Sequence, residues 1–470
     1  MTAPHLIGGS FRDPAAWVYA DGDRILRGVD SVTLANFQAL TKSRFFRDAV
    51  EQRRIVGSRV LDEADPGAVT ILADGWTGVL EHERVPLLSY PYEWTFSMLK
   101  DAALLHLELL EKALGEGWGI KDSTPYNVQF IGSAPIFIDV PSFTPRPAGD
   151  YWRGYRQFCM SFLFPLMLTA YRRIPFQALL RSSLDGIPPV EAARFFTGRD
   201  RLRKGVLSHV HFPAVLERRL AAQRARGSVT KQSKARPQSD AMVFGLVQSM
   251  RRLVRALPAV SDSSPWSDYV TTHSYNRASF DEKKAFVAEV ASQERFSIVW
   301  DLGSNTGTFS ELLAEFADHV VSLDSDHECV ERLYLRLRDR GDIKILPLTM
   351  NVANPSPNQG WAHAERLSFD SRNKPDLILA LALIHHICLS SNIPISAFLD
   401  WLAGIGSRLI IEFVDRNDVM VKEMLSRKSE AHEDYNLQRF EKELERRYDV
   451  IRSAALKDGE RKIYYCVPRR

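Results

Sequence analysis

The C-terminal third of the chain repeats a pattern that few folds can satisfy. From residue 296 onward, short apolar runs alternate with helical stretches, and the runs are SIVWDLG, HVVSLDSD, IKILPLTMN, PDLILALALI and SRLIIEFVD. Five such units predict a mostly parallel sheet with helices on both faces, because parallel neighbours need a crossover connection. The end differs: a charged helix, FEKELERR, precedes the strands YDVIRSAAL and KIYYCVP, which the turn KDGER joins as a hairpin. We therefore predict a doubly wound α/β domain with a seven-stranded sheet and an antiparallel last strand.

The rest of the chain is expected to form a separate α+β domain. At 470 residues the chain is too long for one compact core. The clearest change of composition lies between residues 194 and 240, which hold twelve Lys or Arg and three Asp or Glu. We predict an N-terminal α+β domain over 1–225, a basic polar linker over 226–240, a helical lead-in over 241–295 and the doubly wound domain over 296–470. The basic run is interpreted as a solvated connector, with a phosphate-contacting patch as the alternative.

Composition favours a cytoplasmic protein without a membrane span. The four cysteines lie far apart and form no CxxC, which suits a reducing compartment and predicts no disulfide framework or zinc site. The N-terminus lacks the charged start and apolar run of a signal peptide. The most apolar stretch, residues 158–170, is shorter than the roughly 20 residues that a spanning helix needs. We predict that this stretch is a buried core helix.

The loop after the first predicted strand carries the clearest sign of a ligand site. Its acidic, polar and glycine positions are Asp301, Gly303, Ser304, Asn305 and Gly307. The two glycines allow a tight turn and a close approach of the backbone to a ligand. A carboxylate at the strand end would repel a pyrophosphate but attracts a cation such as a sulfonium. A dinucleotide fingerprint would also need glycines at two positions where this sequence has Asn and Thr.

The next two strands end in polar residues that suit a nucleoside. The second strand ends at Asp324, whose carboxylate can accept hydrogen bonds from both hydroxyls of a ribose. The third ends at Asn351, whose amide can meet an adenine edge. Because ligands of open α/β sheets bind beyond the carboxyl ends of the strands, we expect these side chains around one pocket.

These residues stand in a recognisable motif. The segment VWDLGSNTGTFS resembles the first motif of class I S-adenosylmethionine-dependent methyltransferases, and the similarity extends over residues 297–470. The resemblance implies S-adenosylmethionine as cofactor, and a donor pocket formed by Asp301, Gly303, Ser304, Asn305, Gly307, Asp324, Asn351 and Ala382. Asn305 stands where a middle glycine is common, and Asn tolerates the left-handed backbone that such a turn needs.

Candidate catalytic residues follow the fourth and fifth strands. Methyl transfer is a direct displacement that requires alignment and exclusion of water, and a base helps when the acceptor is a hydroxyl. The fourth strand runs through Ala382 into His385 and His386, either of which could be that base or orient the acceptor. The alternative is a histidine at a helix start that packs on the sheet. Glu412, at the end of the fifth strand, is a second candidate.

The acceptor is expected to be a small molecule or a glycan. Nucleic-acid amino-methyltransferases have an Asn/Asp-Pro-Pro-aromatic motif after the fourth strand, where this chain has LIHHICLS. DNA and RNA bases are therefore not the expected acceptors. A weaker similarity to the NoeA-like nodulation proteins implies a bacterial source and a saccharide-related acceptor, and it rests on NPSP, LIHH, Trp266, Tyr269 and Tyr275. The three aromatic residues are predicted to form either a lid over the donor or core contacts.

The N-terminal half carries a second, weaker resemblance. Asp122, Asn127 five residues later and Asp139 at a strand end are similar to the catalytic and metal-binding loops of kinase-like phosphotransferases. The resemblance implies that Asp122 accepts the acceptor proton while Asn127 and Asp139 hold Mg²⁺. Ile120 stands where a histidine is expected, and no glycine-rich phosphate loop is evident before residue 90. The alternatives are a degenerate kinase-like domain that binds the acceptor, or a turn whose Asp and Asn cap backbone groups.

Overall fold

The computed structural model describes residues 4–225, 238–259, 277–428, 432–457 and 459–469. Most of the predicted linker lies outside the described residues, as do Trp266, Tyr269 and Tyr275. The prediction of an aromatic lid therefore stays a prediction.

The N-terminal half begins with an antiparallel sheet. Its strands are β1 His5–Leu6, β2 Ala16–Asp21, β3 Arg24–Val29, β4 Ser58–Val60 and β5 Gly78–His82. They pair in the order β1-β2-β3-β5-β4, and every pair is antiparallel. The first helices are α1 Ser31–Leu40, α2 Arg44–Glu51 and α3 Pro66–Ala73. Asp30 and Asp65 begin α1 and α3 by accepting hydrogen bonds from backbone N–H groups of the first turn.

A long buried helix, α4 Phe96–Gly115, separates this sheet from two small two-stranded sheets and a helical region. One pairs β6 Trp118–Ile120 with β9 Phe143–Pro145, and the other is a hairpin of β7 Val128–Ile131 and β8 Ala134–Phe137. The helices that follow are α5 Tyr155–Phe158, α6 Phe164–Arg172, α7 Gln177–Ser182, α8 Pro189–Phe195, α9 Phe212–Ala225 and α10 Asp240–Arg255. Residues 158–170 are almost entirely buried in this region, which confirms the predicted core segment. Within the described ranges, no helix is both long and apolar enough to span a bilayer.

The C-terminal half is the predicted seven-stranded sheet. Its strands are β10 Phe296–Leu302, β11 Ala317–Asp324, β12 Ile345–Thr349, β13 Leu377–Ala380, β14 Arg408–Val414, β15 Tyr448–Ala455 and β16 Arg461–Pro468. The order is β12-β11-β10-β13-β14-β16-β15, parallel from β12 to β14 and antiparallel at β16 and β15. The central strands are apolar on both faces because helices cover both. Those helices are α11 Arg277–Ala291, α12 Thr308–Leu313, α13 His327–Arg340, α14 Ile395–Ile405, α15 Val419–Ser426 and α16 Leu437–Glu445.

The two halves share an interface built around α4. From α13, the Tyr334 hydroxyl donates to Asp101 at 2.8 Å, and the buried Glu331 accepts from the hydroxyl and the backbone N–H of Ser97. Arg372 and Glu93 form an ion pair whose side chains are both almost fully buried. The largest apolar core is continuous across this interface. The first helix of the predicted lead-in, α10, packs on α4, whereas the second, α11, packs on the C-terminal sheet.

Candidate functional site

A cavity of about 880 Å³ lies at the carboxyl edge of the C-terminal sheet. It is bordered by the segments that follow β10, β11, β12 and β13, and by the start of α11. The predicted donor residues that line it are Asp301, Gly303, Ser304, Asn305, Asp324, Asn351 and Ala382. His385 and His386 line it as well. The sheet topology therefore brings most of the predicted site residues to one place, as expected for an open α/β sheet.

Asp301 is a buried acid at the centre of this edge. Its Oδ2 accepts a hydrogen bond of 2.6 Å from the Ser310 hydroxyl, which lies 2.9 Å from the hydroxyl of Ser322. Burial raises the pKa of Asp301 to about 7. The hydrogen bonds from Ser310 lower this pKa in part, and the nearby Asp324 carboxylate adds to the rise. Ionising such a group in the free protein is costly, and a bound cation would offset that cost.

Asp324 presents a second acid at the tip of the neighbouring strand. Its two oxygens accept backbone hydrogen bonds of 2.8 Å, one from Asn305 and one from Asp326. Burial nevertheless raises the pKa of Asp324 above its ordinary value. Within the described part of the chain, no Lys or Arg forms an ion pair with Asp301 or Asp324. The two carboxylates thus form an acidic site that no cation of the described chain neutralises.

The loop after β10 has the backbone that its glycines predict, but one glycine serves another purpose. Gly303, Asn305 and Gly307 have φ angles of 76°, 50° and 84°, all in the left-handed region. Asn305 therefore takes the conformation expected of the glycine it replaces. Gly307 is absent from the residues that line the cavity, and a Cβ there would lie 2.6 Å from the side chain of Leu333. Its lack of a side chain permits close packing of α12 on α13, so the expected direct contact of Gly307 with the donor is not supported.

The two histidines face the cavity in a largely buried setting. Their ring centroids are 4.2 Å apart. Burial lowers the pKa of His385 well below its ordinary value, and the nearby His386, Arg461 and Lys283 lower it further. Burial also lowers the pKa of His386. Both imidazoles are therefore neutral at neutral pH, and the buried Nδ1 of His385 has no hydrogen-bond partner within the part of the chain that the structure describes.

Glu412 lies beneath the cavity rather than in it, which corrects the expectation of a catalytic base. Its side chain is fully buried and accepts a 2.7 Å hydrogen bond from Lys283 and another, of 3.4 Å, from Arg461. It also accepts the backbone N–H of Ala382 at 2.8 Å. Arg461 in turn pairs with Asp418 at 2.7 Å, so two cations and two anions balance. A carboxylate engaged in this way holds other groups in place and is not available to receive a proton from an acceptor.

Sequence reasoning missed Lys283, which lines the cavity and is almost fully buried. A signal was present in the spacing of α11. Lys283 precedes the buried residues Phe286, Val287 and Val290 by three, four and seven positions, so it continues the apolar face of the helix. A lysine on such a face needs a buried anion, and Glu412 is that anion.

These groups fit a polar, positively charged nucleoside. Four aspartates line the cavity, namely Asp281, Asp301, Asp324 and Asp326. The buried hydroxyl of Ser304 and the Nδ1 of His385 also lie there, and neither has a hydrogen-bond partner among the described residues. Buried polar atoms without a partner are rare in folded proteins and mark positions where a ligand can bind. Lys283 is the one Lys or Arg among the described lining residues, and Glu412 neutralises it. A pyrophosphate would find no free cation in this part of the described chain.

The N-terminal candidates are also brought together, but one of their two carboxylates, that of Asp139, has a cationic partner. Asp122 and Asn127 lie in the loop before β7, and Asp139 follows β8. Arg27 pairs with Asp139 at 2.6 Å, and Lys121 pairs with Asp13 at 2.8 Å. Sequence reasoning missed these two cations, since nothing in the local pattern links β3 to residue 139.

The electrostatics of this loop differ from those of the cavity. Burial acts to raise the pKa of Asp139, but Arg27, Ser142 and Lys121 outweigh it and hold that pKa below its ordinary value. The pKa of Asp122 is raised, first by burial and then by the charge of Asp139. Asn127 donates to the backbone carbonyl of Asp122 at 3.1 Å, which is the capping contact of the alternative interpretation.

Known proteins similar to the chain fall into two groups. No protein-family model matches it. The chain is 33% identical over 467 residues to the nodulation protein NoeA of Rhizobium meliloti (strain 1021), covering 98% of this chain and 96% of that protein. Among solved structures it is similar to the N-methyltransferase NodS from Bradyrhizobium japonicum WM9 in complex with S-adenosyl-L-homocysteine, at 12% identity, 44% of this chain, 94% of that chain and a TM-score of 0.31. It is also similar to a SAM-dependent methyltransferase from Aquifex aeolicus, at 16% identity, 44% of this chain, 100% of that chain and a TM-score of 0.31.

Proposed function

The chain belongs to the family of the nodulation protein NoeA, and on that premise we propose that it is an S-adenosylmethionine-dependent methyltransferase acting on a small-molecule or saccharide-type acceptor. The observation that carries the proposal is the pair of acids at neighbouring strand tips that line the cavity. Asp301 is buried and Asp324 is partly buried, and neither has a cationic partner in the described chain. A sulfonium nucleoside offers positive charge to one and ribose hydroxyls to the other.

The roles of the lining residues follow from their positions. Asp301, Gly303 and Ser304 would hold the methionine part of the donor, Asp324 the ribose, and Asn351 with Ala382 the adenine side. When bound, S-adenosylmethionine supplies a methyl group on sulfur that a nucleophile of the acceptor displaces. The left-handed turns at Gly303 and Asn305 let the backbone of this loop approach the ligand closely.

The histidines are proposed to serve the acceptor. Because burial keeps both imidazoles neutral, a ring nitrogen of His386 or His385 can accept a proton from an acceptor hydroxyl at neutral pH. Glu412 is a positioning residue: through the N–H of Ala382 it fixes the turn, at φ 48°, from which the histidine segment starts. Lys283 fastens α11 to the same carboxylate and so closes the side of the cavity.

The direct test measures donor binding by isothermal titration calorimetry. We expect Asp324→Ala to weaken S-adenosylmethionine binding by roughly 100-fold, because hydrogen bonds to a charged group contribute about 1.5–3 kcal/mol each. Asp318→Ala is the matched control, since Asp318 lies on the same strand but is exposed and pairs with Arg295. Equal affinities of the Asp324→Ala variant and the unmodified protein would contradict the proposed site. Transfer of labelled methyl groups into extracts of the source cell, absent with His386→Ala, would then identify the acceptor.

A phosphotransferase in the N-terminal half is the second candidate. It is favoured by the convergence of Asp122, Asn127 and Asp139 on either side of the β7–β8 hairpin, with Arg27 of β3 reaching Asp139. Asp122 would then accept the acceptor proton, and Asn127 and Asp139 would hold Mg²⁺. Mg²⁺-dependent ATP binding that Asp139→Ala abolishes would support this candidate, and the absence of ATP binding would remove it in favour of a degenerate acceptor-binding domain.

A scaffold without catalytic activity is the third alternative. Binding of S-adenosylmethionine without methyl transfer to any acceptor would favour it.

A further inference from the structure

The described part of the basic run that precedes residue 226, which the proposed function does not use, forms one exposed surface on the N-terminal half. We call residues 199–224 the α9 surface. Helix α9 continues a π-helical turn, Val206–His211, and contacts the domain on one side, where Ala214 is buried and Glu217 pairs with Arg156 at 2.9 Å. The opposite side exposes Phe212, Leu216 and Leu220, with 63%, 58% and 42% of their surface accessible. Because these residues are spaced by four, they lie along one face of the helix.

The apolar part of the α9 surface is larger than this stripe. Leu202, Leu207 and Val215 are exposed in the same segment. Six of the twenty large hydrophobic residues exposed in the described chain therefore fall within nineteen consecutive positions, 202–220. Single exposed apolar residues are normal, but a group of this size indicates an interaction site.

The charge of the α9 surface has one sign. Its exposed cations are Arg199, Arg201, Arg203, Lys204, Arg218, Arg219 and Arg224. The two acids of the segment already have partners within the protein. Asp200 is buried and pairs with Arg172 at 2.6 Å and with Arg203 of the same surface at 3.1 Å, and Glu217 pairs with Arg156. The α9 surface thus presents aliphatic and aromatic side chains between cations, with no exposed carboxylate.

We propose that the α9 surface binds the face of an anionic lipid bilayer. The apolar stripe of α9 would enter the boundary between headgroups and acyl chains, and the surrounding cations would contact lipid phosphates. Arginine suits this position because its stem packs on apolar surface while its guanidinium stays among the headgroups. The inference concerns where the protein acts and does not depend on the reaction proposed for the C-terminal half.

Repulsion between like charges argues against a second copy of the chain as the partner of the α9 surface. A symmetric contact places the same patch of both subunits together, so the seven cations would face like charges. A nucleic acid would satisfy the cations but would leave the exposed aliphatic side chains without apolar contact. Phe212 is the one exposed aromatic residue of residues 199–224, whereas stacking of successive bases requires several.

The test is co-sedimentation of the full chain with vesicles of phosphatidylcholine mixed with phosphatidylglycerol, and with vesicles of phosphatidylcholine alone. We expect binding to the mixed vesicles that declines with added salt, and little binding to phosphatidylcholine alone. Arg218→Glu/Arg219→Glu/Arg224→Glu should weaken binding by roughly 100-fold, since each cation near an anionic surface contributes about a fivefold gain. Phe212→Gln/Leu216→Gln/Leu220→Gln should weaken it by about tenfold or more without a change of charge.

The matched control reverses three exposed cations elsewhere, Lys42→Glu/Arg44→Glu/Arg47→Glu. This variant should bind the mixed vesicles within about twofold of the unmodified chain, because only charges near the bilayer act strongly. Equal losses in both charge-reversal variants would overturn the proposal, as would equal binding to both kinds of vesicle or no binding at all. Concentration-dependent dimers that the Gln variant abolishes, without vesicle binding, would assign the α9 surface to a second copy instead.

Discussion

Two groups of acids in this molecule look alike in sequence and differ in the structure. In the N-terminal half, Asp139 has Arg27 as its partner, and the pKa of Asp139 is held below its ordinary value. In the C-terminal half, Asp301 and Asp324 are bonded by a hydroxyl and by backbone N–H groups, and their pKa values are raised. Both groups sit at strand ends, and their side chains are buried (Asp301) or partly buried (Asp139 and Asp324). The presence or absence of an internal cation separates them.

The difference indicates which acids stabilise the fold and which are suited to bind a ligand. A buried carboxylate that pairs with a cation has its charge compensated. When such a carboxylate is removed, its cationic partner stays buried without a compensating charge, which destabilises the fold. A buried carboxylate without a cation is a cost that the folded state carries until a positive ligand arrives. Each of the following predictions changes one side of this distinction.

The largest effect on the free energy of unfolding is expected at Glu412. This acid lies in the C-terminal half but, like the paired acid of the N-terminal loop, it has a cationic partner. Glu412→Gln leaves the almost fully buried Lys283 without its anion, and should lower the free energy of unfolding by about 3–5 kcal/mol. Urea denaturation followed by circular dichroism measures the change. Lys283→Met/Glu412→Leu removes both charges and should recover much of the loss, since Arg461 keeps Asp418. A double variant as unstable as Glu412→Gln would show that the ion pair is not the cause.

The next prediction concerns the two groups directly. Asp139→Asn should lower the free energy of unfolding by about 2–3 kcal/mol at pH 8, because Arg27 then loses its anion in a mostly buried position. Asp301→Asn should raise it by about 1–3 kcal/mol at the same pH, because an amide carries no charge to desolvate and can still accept from Ser310. Opposite signs in the same denaturation experiment are the expected result. Destabilisation by both substitutions would contradict the distinction.

The pH dependence of that result follows from the pKa directions. Asp301 titrates at about 7 when folded and near 4 when unfolded, so the folded state holds the extra proton between these values and its stability falls as pH rises through that window. The advantage of Asp301→Asn should therefore grow from pH 5 to pH 8. Asp139, whose folded pKa is lowered, stabilises the protein above its unfolded pKa and loses that contribution in acid. Because the donor is cationic, its binding should strengthen as Asp301 ionises.

Sequence reasoning predicted the C-terminal sheet because the signal for it is local. The alternation of apolar runs with helices predicted seven strands and the antiparallel end, and the structure places the predicted site residues Asp301, Asp324 and His385 around one cavity. It failed where the partner is distant in sequence. Glu412 looked like a base because Lys283, 129 positions away, could not be paired with it from the pattern. Gly307 looked like a donor contact because Leu333 was not known to lie against it.

The smallest effect on the free energy of unfolding is expected in the loop after β10, whose backbone conformation depends on residues that are close together in the sequence. Asn305 has φ 50° and its side chain accepts the N–H of Thr306 at 2.7 Å, so it holds by a hydrogen bond the conformation that glycine adopts freely. Asn305→Gly should therefore change the free energy of unfolding by less than about 0.5 kcal/mol, whereas Asn305→Ala should lower it by about 1–2 kcal/mol. Thermal denaturation compares the two. A glycine variant as unstable as the alanine variant would mean that the Asn305 side chain, and not its backbone, is what the loop requires, and the likeness of this loop to a glycine turn would then be superficial.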